Sequence, residues 1–382
     1  MGKPDIHTIA LRDFASIEKT RYEWVDLINE ARTGCPFVHP EWAIAWARHF
    51  VDECDLEFLA FREGSADGKL VGIAPLYRKL YSSLGFGAVA LVPIGTGRSE
   101  AITEVMQVLI STDRTQEVMR EMVQHIGDSA DWDWGQLPVA PSHGWPVPQW
   151  LGTSSPSVLR HDKTKACLVF EDLPDTPELL APRLKRNLKE SLRRTRNRSA
   201  KLGGVELGCA DDRESVGRVL PHLFALHRAR SRMPGKVVHP DVVSGEVEVF
   251  LSEVVPRMAD GGLARVHFAE RDGRPIAAQL VLSDGYGDYA SISGFDPDYW
   301  DLGLNTMLIY EALVAAIVGG RDRVNLSAGP NIAKGRWTSK IECYQEFSIV
   351  RQARRSRFFY GAYLHASIIR DARGERLRHK VR

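Results

Sequence analysis

Apolar and polar positions are patterned most densely between Leu263 and Gly320. Ala264–Glu270 alternates and is rich in strand formers, Asp272-Gly273 supplies a hairpin turn, and Pro275–Leu282 restarts the strand on its far side. A second turn at Asp284–Gly287 leads into a strand over Asp288–Phe295, which Asp296-Pro297-Asp298 breaks. The loop Tyr299–Asn305 then opens a helix carrying Met307, Leu308, Leu313, Val314, Ile317 and Val318, and Gly319-Gly320 ends it. Backbone amides at such a helix start are free to bind an anion or a polar arm. Arg323–Leu326 is the next strand, and Cys343–Val350 reads as an apolar C-terminal one.

The preceding half follows a similar order. A helix over Leu11–Ala31 has Phe14, Ile17, Tyr22, Trp24, Val25 and Ile28 on its apolar side, and Glu41–Phe50 is a second helix. Leu56–Arg62 and Lys69–Arg78 read as a hairpin, Val89–Pro93 as a strand, Thr115–Ile126 as a helix and Trp132–Leu137 as the strand after it. Gly95-Thr96-Gly97-Arg98-Ser99 stands where the second half has its loop, so the repeat lies in element order rather than residue identity. Pro138–Pro156, with five prolines, reads as a surface connector. Ser157–Phe170 is strand material and Val205–Cys209 another strand. A helix over Asp212–Arg232 turns Val216, Val219, Leu223, Phe224 and Leu226 inward.

Charge changes this picture in one respect. Arg183–Lys201 and Arg351–Arg382 each carry net +8, so a chain of net +1 leaves −15 for the rest. In the first segment Leu184, Leu188 and Leu192 form one narrow apolar stripe while cations cover the other faces. Such a helix is either a solvated face or a docking surface for an acidic partner. Length adds the expectation of two domains, 1–156 and 157–350, followed by a basic helical tail over 351–382.

Five widely spaced cysteines with no Cys-x-x-Cys predict reduced thiols and no metal site. The N-terminus lacks an apolar leader and no run approaches the roughly 18 apolar residues of a membrane span, so a cytoplasmic protein without membrane contact is expected. His-Glu-x-x-His, Gly-x-x-x-x-Gly-Lys-Ser/Thr, Gly-x-Ser-x-Gly and His-x-x-x-Asp-Gly are all missing from the sequence, which sets aside metal hydrolysis, nucleotide hydrolysis, serine-nucleophile and condensation chemistry.

Four stretches carry a family resemblance: Phe37-Val38-His39-Pro40-Glu41-Trp42 with Trp46 and Phe50, Lys69–Tyr77, the hairpin–strand–loop–helix–strand order ending at Leu326, and Lys334-Gly335-Arg336-Trp337. Together they resemble the GNAT acyltransferase superfamily, in the tandem-GNAT branch that includes cellulose-biosynthesis acetyltransferase-like and FemAB-like proteins. The resemblance implies an α/β (α+β) fold of two tandem GNAT-like units, each a mixed central sheet flanked by helices, with the donor site in the C-terminal unit. It implies N-acyl transfer from a phosphopantetheine thioester, on an acyl carrier protein or CoA, to the amine of a small acceptor. The thioester is a co-substrate, with no cofactor held permanently. Two alternatives stay open: an aminoacyl-tRNA donor, as in FemAB-like proteins, and a non-catalytic scaffold that binds an acidic partner.

The resemblance also assigns residues. Trp300, Leu302, Gly303, Leu304 and Asn305 stand where GNAT proteins carry Arg/Gln-x-x-Gly-x-Gly/Ala around a diphosphate, and with Asn331 and Trp337 they are the expected donor contacts. The central glycine is kept, but Trp300 replaces the leading polar group, and Asp298 and Asp301 oppose a diphosphate by charge. That favours a donor anchored elsewhere, with Arg186, Lys189, Arg193, Arg194 and Arg196 as the docking surface. Lys334 is the expected oxyanion stabiliser and Tyr344 the proton donor to the leaving group, unless Tyr344 is simply core. Asp296 is either a base or a turn residue. His227 is the expected general base; with His222, Arg228, Arg230 and Arg232 it is equally a set of cations complementing a helix dipole.

Overall fold

The computed structural model describes residues 5–83, 86–96, 102–144, 157–233, 241–243 and 245–380. The first half runs β1 (Ile6–Leu11), α1 (Phe14–Lys19), α2 (Arg21–Ala31), α3 (Pro40–Phe50), β2 (Phe58–Glu63), β3 (Leu70–Ala74), β4 (Leu76–Ser83) and β5 (Phe86–Pro93). It continues through β6 (Leu109–Ile110), α4 (Thr115–Asp128) and β7 (Trp134–Val139). After β8 (Ser157–Phe170) come α5 (Leu180–Arg183), α6 (Arg186–Leu202), β9 (Val205–Ala210), α7 (Arg213–Ser231) and α8 (Glu246–Asp260). The second half closes with β10 (Ala264–Arg271), β11 (Arg274–Ser283), β12 (Gly287–Phe295), α9 (Leu304–Val318), β13 (Arg323–Ala328), α10 (Ile332–Gly335), β14 (Ile341–Arg351) and α11 (Arg354–Lys380). The fold is thus mixed α/β, with a four-stranded sheet β1-β2-β3-β6 and a ten-stranded sheet β4-β5-β7-β14-β8-β13-β12-β11-β10-β9.

Three expectations are corrected here. The helix expected over Leu11–Ala31 is a strand and two helices, parted at Thr20, whose hydroxyl donates to the Ile17 carbonyl at 2.7 Å. The strand expected over Lys69–Arg78 is split at Pro75, which has no N–H to donate; β3 stays in the small sheet and β4 enters the large one. Pro138, expected in a connector, sits in β7 opposite Glu346. It is tolerated because β5 pairs with β7 only as far as Leu91 and Gly135, leaving one edge of β7 without a ladder. Gly97–Ser99 of the first-half loop and the connector beyond Gly144 lie outside the described residues.

The two halves share a pattern. β5 and β7 are parallel neighbours joined through α4, and β12 and β13 are parallel neighbours joined through α9. Each pair makes only a short parallel contact, through Ala90–Leu91 with Trp134–Gly135 and through Gly287–Tyr289 with Arg323–Asn325. The following strands are exchanged. β8 comes after β7 in sequence but pairs with β13, whereas β14 comes after β13 and pairs with β7. β8 and β14 then run antiparallel to one another from Ile341–Leu168 to Arg351–Ser157, which makes the ten strands one sheet.

Among the described residues four apolar clusters cover its faces, the smallest of them around Ala269, Ile276 and Leu308. Trp24, Trp42, Trp46, Phe224, Phe250 and Tyr289 are fully buried in the largest, which also takes in Trp134 and the Tyr360 of α11. α4 closes the second through Val118, Met122 and Ile126 against Phe347 and Ile349 of β14. In the third, Leu184, Leu188 and Leu192 hold α6 against Met307, Leu313 and Trp337, as their spacing predicts. No helix among the described residues is long and apolar enough to cross a membrane.

Candidate active site

Beyond Tyr289 and Asn325, β12 and β13 part, and a cleft opens through the sheet. Two irregularities widen it. The β11–β12 register slips between Gln279 and Val281, and the β13–β8 register between Asn325 and Ala328. Within the second, Ser327 stands at φ 68, held by its amide donating to Asn325 Oδ1 at 2.9 Å. A non-glycine residue persists in that region only where its surroundings fix it.

The cleft is lined by Arg230 of α7, Gln279 of β11, Ser293 of β12, Asn305 and Thr306 of α9, Ser327 of β13, and Asn331, Lys334, Arg336 and Trp337 around α10. Asn331 caps α10 by accepting from the Lys334 amide at 3.0 Å, which fixes where the lysine side chain starts. Lys334 Nζ donates to Ser327 Oγ at 2.7 Å, to the Ala328 carbonyl at 2.7 Å and to the Ser327 carbonyl at 3.2 Å. Burial pulls its pKa down, against the charges of Glu104 and Cys167. Arg230 Nη1 donates to Ser293 Oγ at 2.7 Å, its guanidinium lies 5.4 Å from the Phe295 ring centre, and burial lowers its pKa too. Asn305 Oδ1 is buried with no donor among the described residues, so the start of α9 offers an unused acceptor to the cleft.

A carboxyl from the first half reaches the same turn. Glu104 Oε2 accepts from the Ala328 amide at 2.7 Å and from the Tyr289 hydroxyl at 3.0 Å. Burial raises the Glu104 pKa, countered by that amide bond and by the Lys334 charge. No motif in the sequence marks Glu104, Gln279, Ser293 or Ser327. Arg230 stood among the candidate cations of its helix, and it is the member of that group on the cleft wall.

Of the residues expected at the site, Lys334, Asn305, Asn331 and Trp337 are brought together and the others are not. His227 has both ring nitrogens engaged, Nδ1 donating to the Ser293 carbonyl at 3.0 Å and Nε2 accepting from the Val242 amide at 3.3 Å, so no ring nitrogen is free to take a proton. Asp296 caps the 3-10 turn Pro297–Leu302, accepting from the Asp298 amide at 3.1 Å. Tyr344 is buried, donates to Glu342 at 3.3 Å, and lines the opening between β5 and β7 with Lys163 and Lys165. Burial pushes its pKa well above the usual phenol range. Trp300 is half exposed, Leu302 and Leu304 pack on Ala269, Ile276 and Leu308, and Gly303 at φ 76 joins the turn to α9.

α6 lies across this region. Lys185 Nζ donates to the Gly335 carbonyl at 2.9 Å, Arg336 to the Asn187 carbonyl at 3.4 Å, and Arg198 to the Asp301 carbonyl. A Cβ on Gly303 would stand 3.0 Å from Thr195 Oγ1, so the glycine admits the helix as well as the turn. Arg186, Lys189, Arg193 and Arg194 are exposed, with Glu190 as the acid among them, 3.5 Å from Arg186 and from Arg194. Arg196 instead lies 5.5 Å from the Tyr310 ring centre. Among the described residues, no group of His, Cys, Asp and Glu is placed to hold a metal ion.

Residues 186–335 match the family model described as an acetyltransferase (GNAT) domain. The fold is similar to the crystal structure of FemX, at 10% identity and TM-score 0.62, covering 91% of this chain and 98% of that one. It is similar also to the C-terminal DUF2156 domain of an Agrobacterium fabrum protein named for lysylphosphatidylglycerol synthetase, at 10% identity and TM-score 0.52, covering 92% and 96%. A conserved protein of unknown function from Bacteroides thetaiotaomicron is a third, at 12% identity and TM-score 0.50, covering 87% and 97%. No curated protein sequence matches the chain.

Proposed function

We propose, from the premise that residues 186–335 form a GNAT acetyltransferase domain, that this chain moves an aminoacyl group from a tRNA ester to an amine. The observation that carries the donor assignment is the seating of α6. Its exposed Arg186, Lys189, Arg193 and Arg194 stand beside the start of α9 and the Lys334 turn, while the loop below them offers Asp298, Trp300 and Asp301 where a diphosphate needs donors. A polyanion is held from outside by such a helix, and only its acylated end enters the cleft. The resemblance to FemAB-like proteins supports the same donor class.

In the reaction the acceptor nitrogen attacks the ester carbonyl, a C–N bond forms, the C–O bond breaks, and the nitrogen's proton leaves with the ribose hydroxyl. The Lys334 charge and the amides at the start of α9 stand where oxygen gains negative charge. Serving an oxyanion, Lys334 gives up its longest bond, to the Ser327 carbonyl.

A second reading keeps a phosphopantetheine thioester, on a carrier protein or CoA, as donor to a small amine. It is favoured by the free edges of β12 and β13 beyond Tyr289 and Asn325, along which a pantetheine arm can add hydrogen bonds. The protein should be incubated with aminoacyl-tRNA, acyl carrier thioester and acyl-CoA in parallel, each with a panel of amines. Amide formation from the tRNA ester above the others is expected. Turnover of thioesters alone transfers the assignment to the second reading, and turnover of none leaves a non-catalytic scaffold.

A further inference from the structure

The cleft belongs to the second half, yet one of its supports comes from the first. Glu104 Oε2 takes two hydrogen bonds, from the Ala328 amide and the Tyr289 hydroxyl, and no described residue donates to Oε1. The Ala328 amide also lies 3.2 Å from the Tyr289 oxygen, so carboxylate, phenol and amide form a closed triangle. Ala328 ends the turn whose two carbonyls and Ser327 hydroxyl receive Lys334. Asn325 fixes the Ser327 amide from one side and Glu104 fixes the Ala328 amide from the other, so the strained Ser327 is pinned at both flanks.

We infer that Glu104 is a positioning residue for Lys334: by clamping the Ala328 amide it sets the oxygens that hold the ammonium, and it makes the second half's cleft depend on the docked first half. The inference rests on the acyl-transfer reading of the cleft. The carboxylate has a second effect through space, since its charge favours the ammonium of Lys334. Cys167 acts in the same sense and Arg230 in the opposite one, while Lys165 bears on Glu104 itself. Glutamine in place of Glu104 keeps an acceptor oxygen but removes the charge; aspartate keeps the charge but withdraws the oxygen from Ala328.

The test is a double-mutant cycle with Glu104→Gln and Lys334→Ala, measured with whichever donor the wild-type protein turns over. Glu104→Gln should lower kcat about tenfold with the donor KM within about twofold, and should cost nothing further in the Lys334→Ala background. Equal losses in both backgrounds would show Glu104 to be merely structural and overturn the inference. A second readout needs no turnover. The Lys334 side-chain carbon signal, assigned in 13C-lysine protein by its disappearance in Lys334→Arg, should titrate at lower pH in Glu104→Gln than in wild type. An unmoved midpoint overturns the coupling. If the wild-type protein uses no donor, the transfer reading falls while this titration still decides whether the Glu104 charge acts on Lys334. Should Glu104→Gln fail to fold, Glu104→Asp takes its place: lowered kcat with an unchanged titration supports the clamp, and unchanged kcat sinks it.

Discussion

Two 2.7 Å bonds hold the Lys334 ammonium on the Ser327–Ala328 turn and a longer third one, at 3.2 Å, is the one it can release, so the charge is fixed in place rather than swinging. Lys334→Ala should therefore lower kcat about tenfold or more with the fold intact. Asp296→Asn should leave turnover within about twofold, because asparagine caps a turn as well as aspartate. Equal losses in steady-state assays of the two variants would contradict the placement of Asp296 outside the cleft. Three other residues tie stability to pH. The buried His39 and His143, with pKa values lowered to about 4, and His267, lowered to about 3, each accept a hydrogen bond on a ring nitrogen. Below pH about 6.5 the unfolded chain takes up protons that these rings refuse, so stability falls as pH drops. The raised carboxyls of Glu104, Glu121 and Glu311 act in the opposite sense, which makes a single-residue comparison the clean one. Between pH 7 and 5, His143→Gln should lose about 2 kcal/mol less than wild type in urea unfolding, and parallel losses would refute the neutral ring. At this scale the sequence was a partial guide. Lys334 is legible from its Lys-x-x-Trp context, whereas the proton transfer that an unperturbed histidine suggests at His227 is pre-empted by its two hydrogen bonds. Glu104 had no local pattern, because its partners are more than 180 residues away.

Elements were legible where turn chemistry and periodicity agree. Asp272 at φ 52 and Gly273 at φ 73 make the two-residue turn that Asp-Gly announces, and the β10–β11 hairpin follows from it. The break at Pro75 was harder, because a continuous apolar run gives no sign that two sheets share it. α6 was legible as an amphipathic helix, but its seating was not: Arg198, Lys185 and Thr195 attach it to a loop and a helix more than 100 residues on. If that seating serves the donor, Arg193→Glu combined with Arg194→Glu should raise the KM for a tRNA donor about tenfold at low salt. The loss should shrink as salt rises, and a free CoA thioester should be nearly unaffected. Equal effects on the two donors, in assays across an ionic-strength series, would make α6 a solvated face.

For the whole molecule, element order gave two similar halves but not the exchange of β8 and β14, since strand pairing across halves leaves no trace in local pattern. The exchange implies one cooperative unit. Residues 157–382 expressed alone should lack a sharp unfolding transition, because Phe347 and Ile349 lose α4 and β14 loses β7, and should regain it when mixed with residues 1–156. A sharp transition for the isolated piece, by circular dichroism in urea, would contradict this. The exchange also orders events in time. Because β7 waits for β14, some two hundred residues later in translation, the growing chain leaves the ribosome with an open strand edge and an unclosed apolar face. The strand that seals the centre of the sheet is thus made long after the one it covers, so the nascent first half needs shelter until its own continuation returns to complete it.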